Sequence, residues 1–489
     1  MRSPERAEAI AGPASARQVT TNGFWLLLAY VVPRIGQWIA VLAVARVVGT
    51  ERFGWYGTAA SLAVIASVTT TLGLMPLLIR DISRDPTRAP SVLRAAHLLK
   101  TWTNLGMLGA LGIAVWALEY PAPVAASALL LGVGYAFGSY AENLGAYFQA
   151  VERMRIWMQA HAVLGLVTGT VGVALVATTG SVVAFCGAVA LGQAAALAWL
   201  LKQAPARRAT PAVSVWRLMH GAAPFAVAFV ALTIFYKVDV LIVDMLRGPH
   251  AAGVYTAAYK FIDVTHALTL VGIGAVYPRL SRLLQREGRR GTRTGARLVE
   301  LSTLATVLWA GALSLGASWI VPVAFGADYR AAADVLALLA LAIPFLAINL
   351  LAGYLLAARN RMARAGIAYI LGLAVKVTAN VFAVGRWGPV GAAGAMVCAE
   401  VLTAGMLLGV LGAAEQIRPR MRALAVPAVA LATAAFLAGR GIAGPVPAMG
   451  FVIVVLMLYK VIGALTVDER GLLKGLLTPR APLAGEASR

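Results

Sequence analysis

The stretch GTERFGWYGTAASLAVIASVTTTLGLMPLLIR (residues 49–80) returns as GPHAAGVYTAAYKFIDVTHALTLVGIGAVYPR (residues 248–279), at a constant offset of 199 positions and without a gap. Identities fall at Gly49/Gly248, Gly54/Gly253, Tyr56/Tyr255, Ala59/Ala258, Thr70/Thr269, Gly73/Gly272 and Arg80/Arg279, seven in thirty-two positions. In a chain this rich in Gly and Ala that count is modest alone, but both copies occupy the same place, the join between two long apolar runs. A second echo sets AYFQAVERMR (146–155) beside GYLLAARNRM (353–362), each with Tyr, Ala and a basic turn at the end of an apolar run. The chain reads as two copies of one helical unit.

Of its 489 residues, 60% are hydrophobic and 13% charged, and mean hydropathy is +0.80. A membrane-crossing helix needs about 20 mostly apolar residues. Fourteen such runs occur, at residues 22–48, 54–79, 98–118, 124–150, 158–178, 181–201, 218–246, 252–278, 298–321, 332–357, 365–384, 390–412, 423–439 and 444–463. The expected fold is therefore an all-α polytopic membrane protein. The repeat divides it into a tail (1–21), a six-helix bundle (22–201), a linker (202–217), a second bundle (218–412), a helix pair (423–463) and a further tail (464–489).

The net charge of +22 raises the question of a nucleic-acid partner. Its distribution gives the answer. If the N-terminus is cytoplasmic, 32 of the 42 Lys and Arg residues fall on that side and five (Arg52, Arg247, Arg330, Arg386 and Arg440) on the other. This asymmetry is that of a multi-pass protein of the inner, cytoplasmic membrane with both termini inside. Basic residues scattered over short loops make no nucleic-acid platform. The block RLSRLLQREGRRGTRTGAR (279–297) could also touch anionic lipid. No cleavable signal stands at the N-terminus, so the first run is expected to remain as an anchor.

Catalytic chemistry finds little foothold. The dipeptide Gly-Lys that ends a phosphate loop is absent, as are HExxH, GxSxG and DxD, and every outward loop is short. Cys186 and Cys398 lie in separate runs with no CxxC, so neither a disulfide nor a metal site is indicated. No cofactor or enzyme activity is expected.

What remains is charge inside the membrane. FYKVDVLIVD (235–244) carries Lys237, Asp239 and Asp244 within an apolar run. Arg34, Lys260 and Lys376 join Lys237 as bases near mid-membrane, and Glu142, Asp263 and Glu400 join Asp239 as acids. Eight lipid-facing charges would cost roughly 20–28 kcal/mol on insertion scales, so these groups must pair or line an interior cavity. Lys237 and Asp239 stand level with Lys260, while Lys260, Asp263 and His266 recur every third residue along one helical stripe. Ser139, Glu142 and Gln149 share a face, as do Lys376 and Asn380. Asp244 and Arg46 lie near the outer boundary, within reach of headgroups. A plain structural pair would satisfy Lys260 and Asp263 equally, and a buried carboxyl such as Glu400 or Glu142 could remain protonated.

These residues carry a family resemblance. LAVARVVGTERFGWYGTAASL (42–62), VDVLIVDMLRGPHAAGVYTAAYKFID (238–263) with YPRLSRL after it, AFGADYRAAADVL (324–336) and WGPVGAAGAMVCAE (387–400) are similar to segments of Wzx-type polysaccharide flippases. That superfamily also includes lipid II flippases and cation-coupled multidrug exporters. The resemblance implies two six-helix bundles in a V-shaped pseudo-twofold arrangement that alternate access across the membrane. The lipid II branch has a basic-x-x-acidic pair where Lys260 and Asp263 stand and a basic residue where Arg34 stands, but Ala40 occupies the place of its second base.

The expected function is transfer of an isoprenoid diphosphate-linked oligosaccharide to the outer leaflet for cell-surface polysaccharide synthesis. Arg34, Lys237, Lys260 and Lys376 would hold the substrate. Glu142, Asp239, Asp263, His266 and Glu400 would balance charge or couple a proton or sodium ion. Membrane lipids and polysaccharide polymerase machinery are the expected partners. A multidrug exporter, a lipid II flippase and a membrane glycosyltransferase stand as alternatives.

Overall fold

The computed structural model describes residues 16–71, 74–204, 215–286, 288–359, 361–414, 416–417, 419 and 421–461. Among these, every long element is helical: α1 (Ala16–Thr71), α2 (Leu74–Arg84), α3 (Ala89–Ala117), α4 (Ala122–Ala150), α5 (Met154–Thr179), α6 (Val182–Gln203) and α7 (Val215–Arg286). They continue as α8 (Gly288–Phe325), α9 (Ala332–Leu339), α10 (Ile343–Ala358), α11 (Met362–Ala414), α12 (Met421–Gly439) and α13 (Pro445–Val461).

The 56 residues of α1 and the 72 of α7 exceed one bilayer crossing several times over. Each folds back at one glycine. Gly49 (φ 76°, ψ 173°) and Gly248 (φ 79°, ψ 177°) adopt the same left-handed turn, and Gly388 (φ 58°, ψ −139°) turns α11 likewise. Positive φ is open to glycine at little steric cost, which is why the repeat places glycine at both equivalent turns. The reversal at Gly248 is visible in its contacts: Lys237 meets Asp263, and the Tyr259 hydroxyl donates to the Tyr236 carbonyl at 2.6 Å.

Among the described residues, six helices are long and apolar enough to cross a membrane, and α9 with α10, bent by 46°, makes a seventh as one span. Pro344 opens α10, where a missing N–H disturbs no helical bond. Splitting α1, α7 and α11 at their glycines and joining α9 to α10 gives fifteen segments; α2 and the second part of α1 fall in one apolar run (54–79), so among the described residues the segments follow the fourteen runs in order. α3 starts at Ala89 rather than residue 98 and α8 at Gly288 rather than residue 298, so Lys100 stands well inside α3.

The turns gather at one end of the molecule. Arg52 Nη1 donates to the Gly180 carbonyl at 3.2 Å, and the Tyr329 hydroxyl to the Ala45 carbonyl at 2.9 Å. There α1 and α7 cross at closest approach. A Cβ on Gly54 would fall on the Pro249 carbonyl, and one on Gly253 on the Thr50 carbonyl. Thr50 and Pro249 are themselves 199 residues apart, so the crossing obeys the sequence repeat. The largest core runs through this junction, from Val44, Phe53 and Phe185 to Tyr255, Phe325 and Leu339. A second core lies within the first half around Leu78, Phe148 and Leu200. A third holds α12 and α13 on α8 through Val307, Leu315 and Phe451.

Candidate functional site

The hairpin of α7 brings Lys237 and Lys260 to one carboxylate. Lys237 Nζ lies 2.8 Å from Asp263 Oδ1 and Lys260 Nζ lies 3.4 Å from Asp263 Oδ2. Lys237 also sits over the Tyr259 ring at 4.9 Å. Lys260 reaches across to the first half, 5.4 Å from the Tyr56 ring of α1. Tyr135 of α4 lies in the field of the same carboxylate, so both halves contribute walls. None of the three charges is sealed: their side chains are 22% (Lys237), 17% (Lys260) and 34% (Asp263) exposed. Two ammonium groups on one carboxylate leave a net charge of +1 in a partly open position. Such a site favours a multivalent anion, which can engage both lysines where Asp263 offers each a single oxygen.

Asp239 and Lys376 are placed otherwise. Expected beside Lys237 and Lys260, Asp239 instead turns to the other face of α7 and is enclosed with Lys376, Nζ to Oδ2 2.8 Å, with side chains 1% and 0% exposed. Asn380 Nδ2 donates to Asp239 Oδ1 at 2.9 Å and the Tyr255 hydroxyl to Oδ2 at 2.8 Å. Lys376 also donates to the Phe235 carbonyl and to Met396 Sδ (2.9 Å), and rests 4.4 Å from the Phe235 ring. Lys237 and Asp239 are two residues apart, so a helix turns them about 200° from each other. Sharing a depth did not make them share a face.

Glu142 pairs with Lys100 of α3 at 3.5 Å; Lys100 is 1% exposed and Glu142 44%. The pair continues a polar seam between α3 and α4, where Asn104 Nδ2 donates to Ser139 Oγ at 3.0 Å and Thr101 meets the Tyr140 hydroxyl at 2.8 Å. Ser139 thus turns to α3, while Glu142 keeps an exposed edge. Glu400 is fully enclosed in α11, with Asn349 Nδ2 donating to its Oε2 at 2.5 Å and to its carbonyl at 3.1 Å. His266 packs edge-on against the Tyr236 ring at 4.9 Å. Arg34 falls within α1, but its side chain lies outside those described. Arg46, expected to reach headgroups, donates from Nε to the Ala324 carbonyl at 2.9 Å and also to Val323, capping the end of α8.

The residues missed from the sequence are Lys100, Tyr56, Tyr255, Tyr259 and Asn349. For two of them a signal existed: Tyr56 and Tyr255 are an identity of the repeat, and each serves a charge, Lys260 and Asp239. Among the described residues, no three His, Cys, Asp or Glu side chains gather where they could hold a metal ion.

Comparison with known proteins adds three likenesses of fold. The chain is similar to the lipid II flippase MurJ in an inward closed conformation, at 13% identity and a TM-score of 0.67, over 92% of this chain and 99% of that one. It is also similar to an inward-facing multidrug resistance MATE family transporter of the MOP superfamily (13% identity, TM-score 0.55, 84% and 98% covered). The Vibrio cholerae MATE transporter VcmN in its bent form gives 11% identity and a TM-score of 0.56, over 82% and 98%. None of the curated proteins matches the chain. Residues 19–284 match the family described as "Polysaccharide biosynthesis protein".

Proposed function

Since this chain belongs to that polysaccharide biosynthesis protein family, we propose that it is a flippase for an isoprenoid diphosphate-linked oligosaccharide. The cluster of Lys237, Lys260 and Asp263 carries the reading. The diphosphate displaces Asp263 from the two ammonium groups and takes up the +1 surplus, the sugar occupies the cleft between the halves, and the lipid tail stays in the bilayer. Opening and closing at the crossing of Gly54 and Gly253 exposes the cluster to one side at a time. We place the protein in the cytoplasmic membrane with both termini inside, coupled to a cation gradient and working beside a polysaccharide polymerase.

Asp239 and Lys376 neutralise each other out of reach of substrate, which leaves Lys237, Lys260 and Asp263 as the open charges of α7 among the described residues. A net positive cleft argues against cationic drugs as cargo. A lipid II headgroup presents the same diphosphate, so the clamp alone accepts it, and competition between the two lipids separates the readings. The test is charge reversal, Lys260→Glu and Lys237→Glu, in full-length protein reconstituted into vesicles with a fluorescent isoprenoid diphosphate sugar. Each should abolish flipping while insertion and monodispersity persist, and Lys260→Arg should retain it. Undiminished flipping by both reversals overturns the reading.

A further inference from the structure

Glu400 has no part in that clamp, and its surroundings pose a charge problem. The carboxyl is 0% exposed. The ionisable and polar groups facing it are Tyr236, Tyr259 and Asp239 from α7, Asn349 from α10, and Tyr369 and Lys376 from α11. Lys376 is the one base in this set, and its three N–H donors are taken by Asp239, the Phe235 carbonyl and Met396. Asn349 donates to Glu400 Oε2, and the Tyr236 hydroxyl faces the same carboxyl. One ammonium therefore stands among two carboxyls. The pocket is neutral only if one acid holds a proton, and Asp239, with three partners on its oxygens, is the one held ionised.

We propose that Glu400 is the proton-carrying group of the transporter, a site in the second half separate from the substrate cluster. It is protonated in this enclosed pocket. When α10 and α11 part and water enters, the carboxyl releases its proton to that water, and the pocket passes from neutral to −1. That extra negative charge competes with Asp239 for Lys376, so loss of the proton disturbs the contact holding α7 to α11. One proton is thereby exchanged for one rearrangement of α7, the element that bears Lys237, Lys260 and Asp263. The role as a coupling site rests on the flippase reading; the proton on Glu400 does not.

The two are tested apart. Infrared difference spectra of the full-length protein in nanodiscs, without substrate and at neutral pH, should contain a protonated-carboxyl C=O band that Glu400→Gln removes. If no such band is lost, the proposal fails whatever the cargo. In proteoliposomes carrying a pH gradient, Glu400→Gln should still bind the fluorescent diphosphate lipid as wild type does, yet flip it at a rate that the gradient no longer changes. An unaltered response to the gradient also overturns the proposal. Should Glu400→Gln fail to fold, Glu400→Asp supplies the measurement, since a shorter carboxyl withdrawn from Asn349 must shift the same band. A band present and assigned to Glu400 in a protein that moves no diphosphate lipid would refute the flippase reading while leaving the proton site standing.

Discussion

Lys376→Met separates two lysines that the sequence places in one class. The substitution keeps the length of the side chain but leaves Asp239, 1% exposed, without its cation. Breaking a fully buried pair from one side costs about 3–5 kcal/mol. Against a net stability of about 5–15 kcal/mol, that is a large share. Lys237→Met meets different circumstances. Lys237 is 22% exposed and Asp263 keeps Lys260, so the loss should stay within about 1 kcal/mol. Purified variants compared by thermal unfolding in detergent, and by yield of monodisperse protein, should place Lys376→Met far below both Lys237→Met and wild type. The double variant Lys376→Met with Asp239→Asn should recover most of the loss, because removing both charges leaves none stranded. If Lys376→Met unfolds with Lys237→Met, or if the double variant is no better than the single, Lys376 is not enclosed with Asp239 and belongs with the substrate clamp after all.

At the crossing of the halves, Gly54→Ala and Gly253→Ala each push a methyl group onto a backbone carbonyl and should destabilise by about 1–3 kcal/mol. Gly106→Ala, whose Cβ meets nothing within 4 Å, serves as the control and should be neutral or better in the same thermal scan. Glu142→Gln strands Lys100 and should lower the unfolding midpoint, with Lys100→Met restoring it in the double variant; recovery without the second change would place Glu142 outside any pairing role.

The resemblance read from residues 42–62 and 238–263 agrees with the family match over residues 19–284 and with the fold of the MurJ and MATE structures. Family and fold were legible because they ride on long segments with few alternatives. The charged site was legible only in part. Lys260 and Asp263 could be paired from their spacing of three, which a helix fixes locally. Lys237 could not be assigned to Asp263 rather than Asp239, since its partner is chosen by how sharply α7 turns at Gly248 and by the rotation of its first segment. Lys376 looked like any other intramembrane base until α11 was packed on α7.

Taken alone, the amino-acid sequence determined what depends on composition and local geometry. Apolar runs of bilayer length admit only helices, because backbone polar groups in hydrocarbon must satisfy one another. A glycine repeated at residues 49 and 248 permits the same positive-φ turn at both, and the offset of 199 pairs the segments that follow them. The tertiary structure alone decided which charges meet. Apart from Lys260 with Asp263, pairing among Lys100, Glu142, Lys237, Asp239, Asp263, Lys376 and Glu400 depends on the rotation of each helix about its axis. A step of two residues turns a side chain about 200° while moving it about 3 Å in depth. Depth is written in the sequence. Facing is written in the packing, and in this protein it separates an open clamp of net +1 from a sealed pair and leaves Glu400 without a counter-ion.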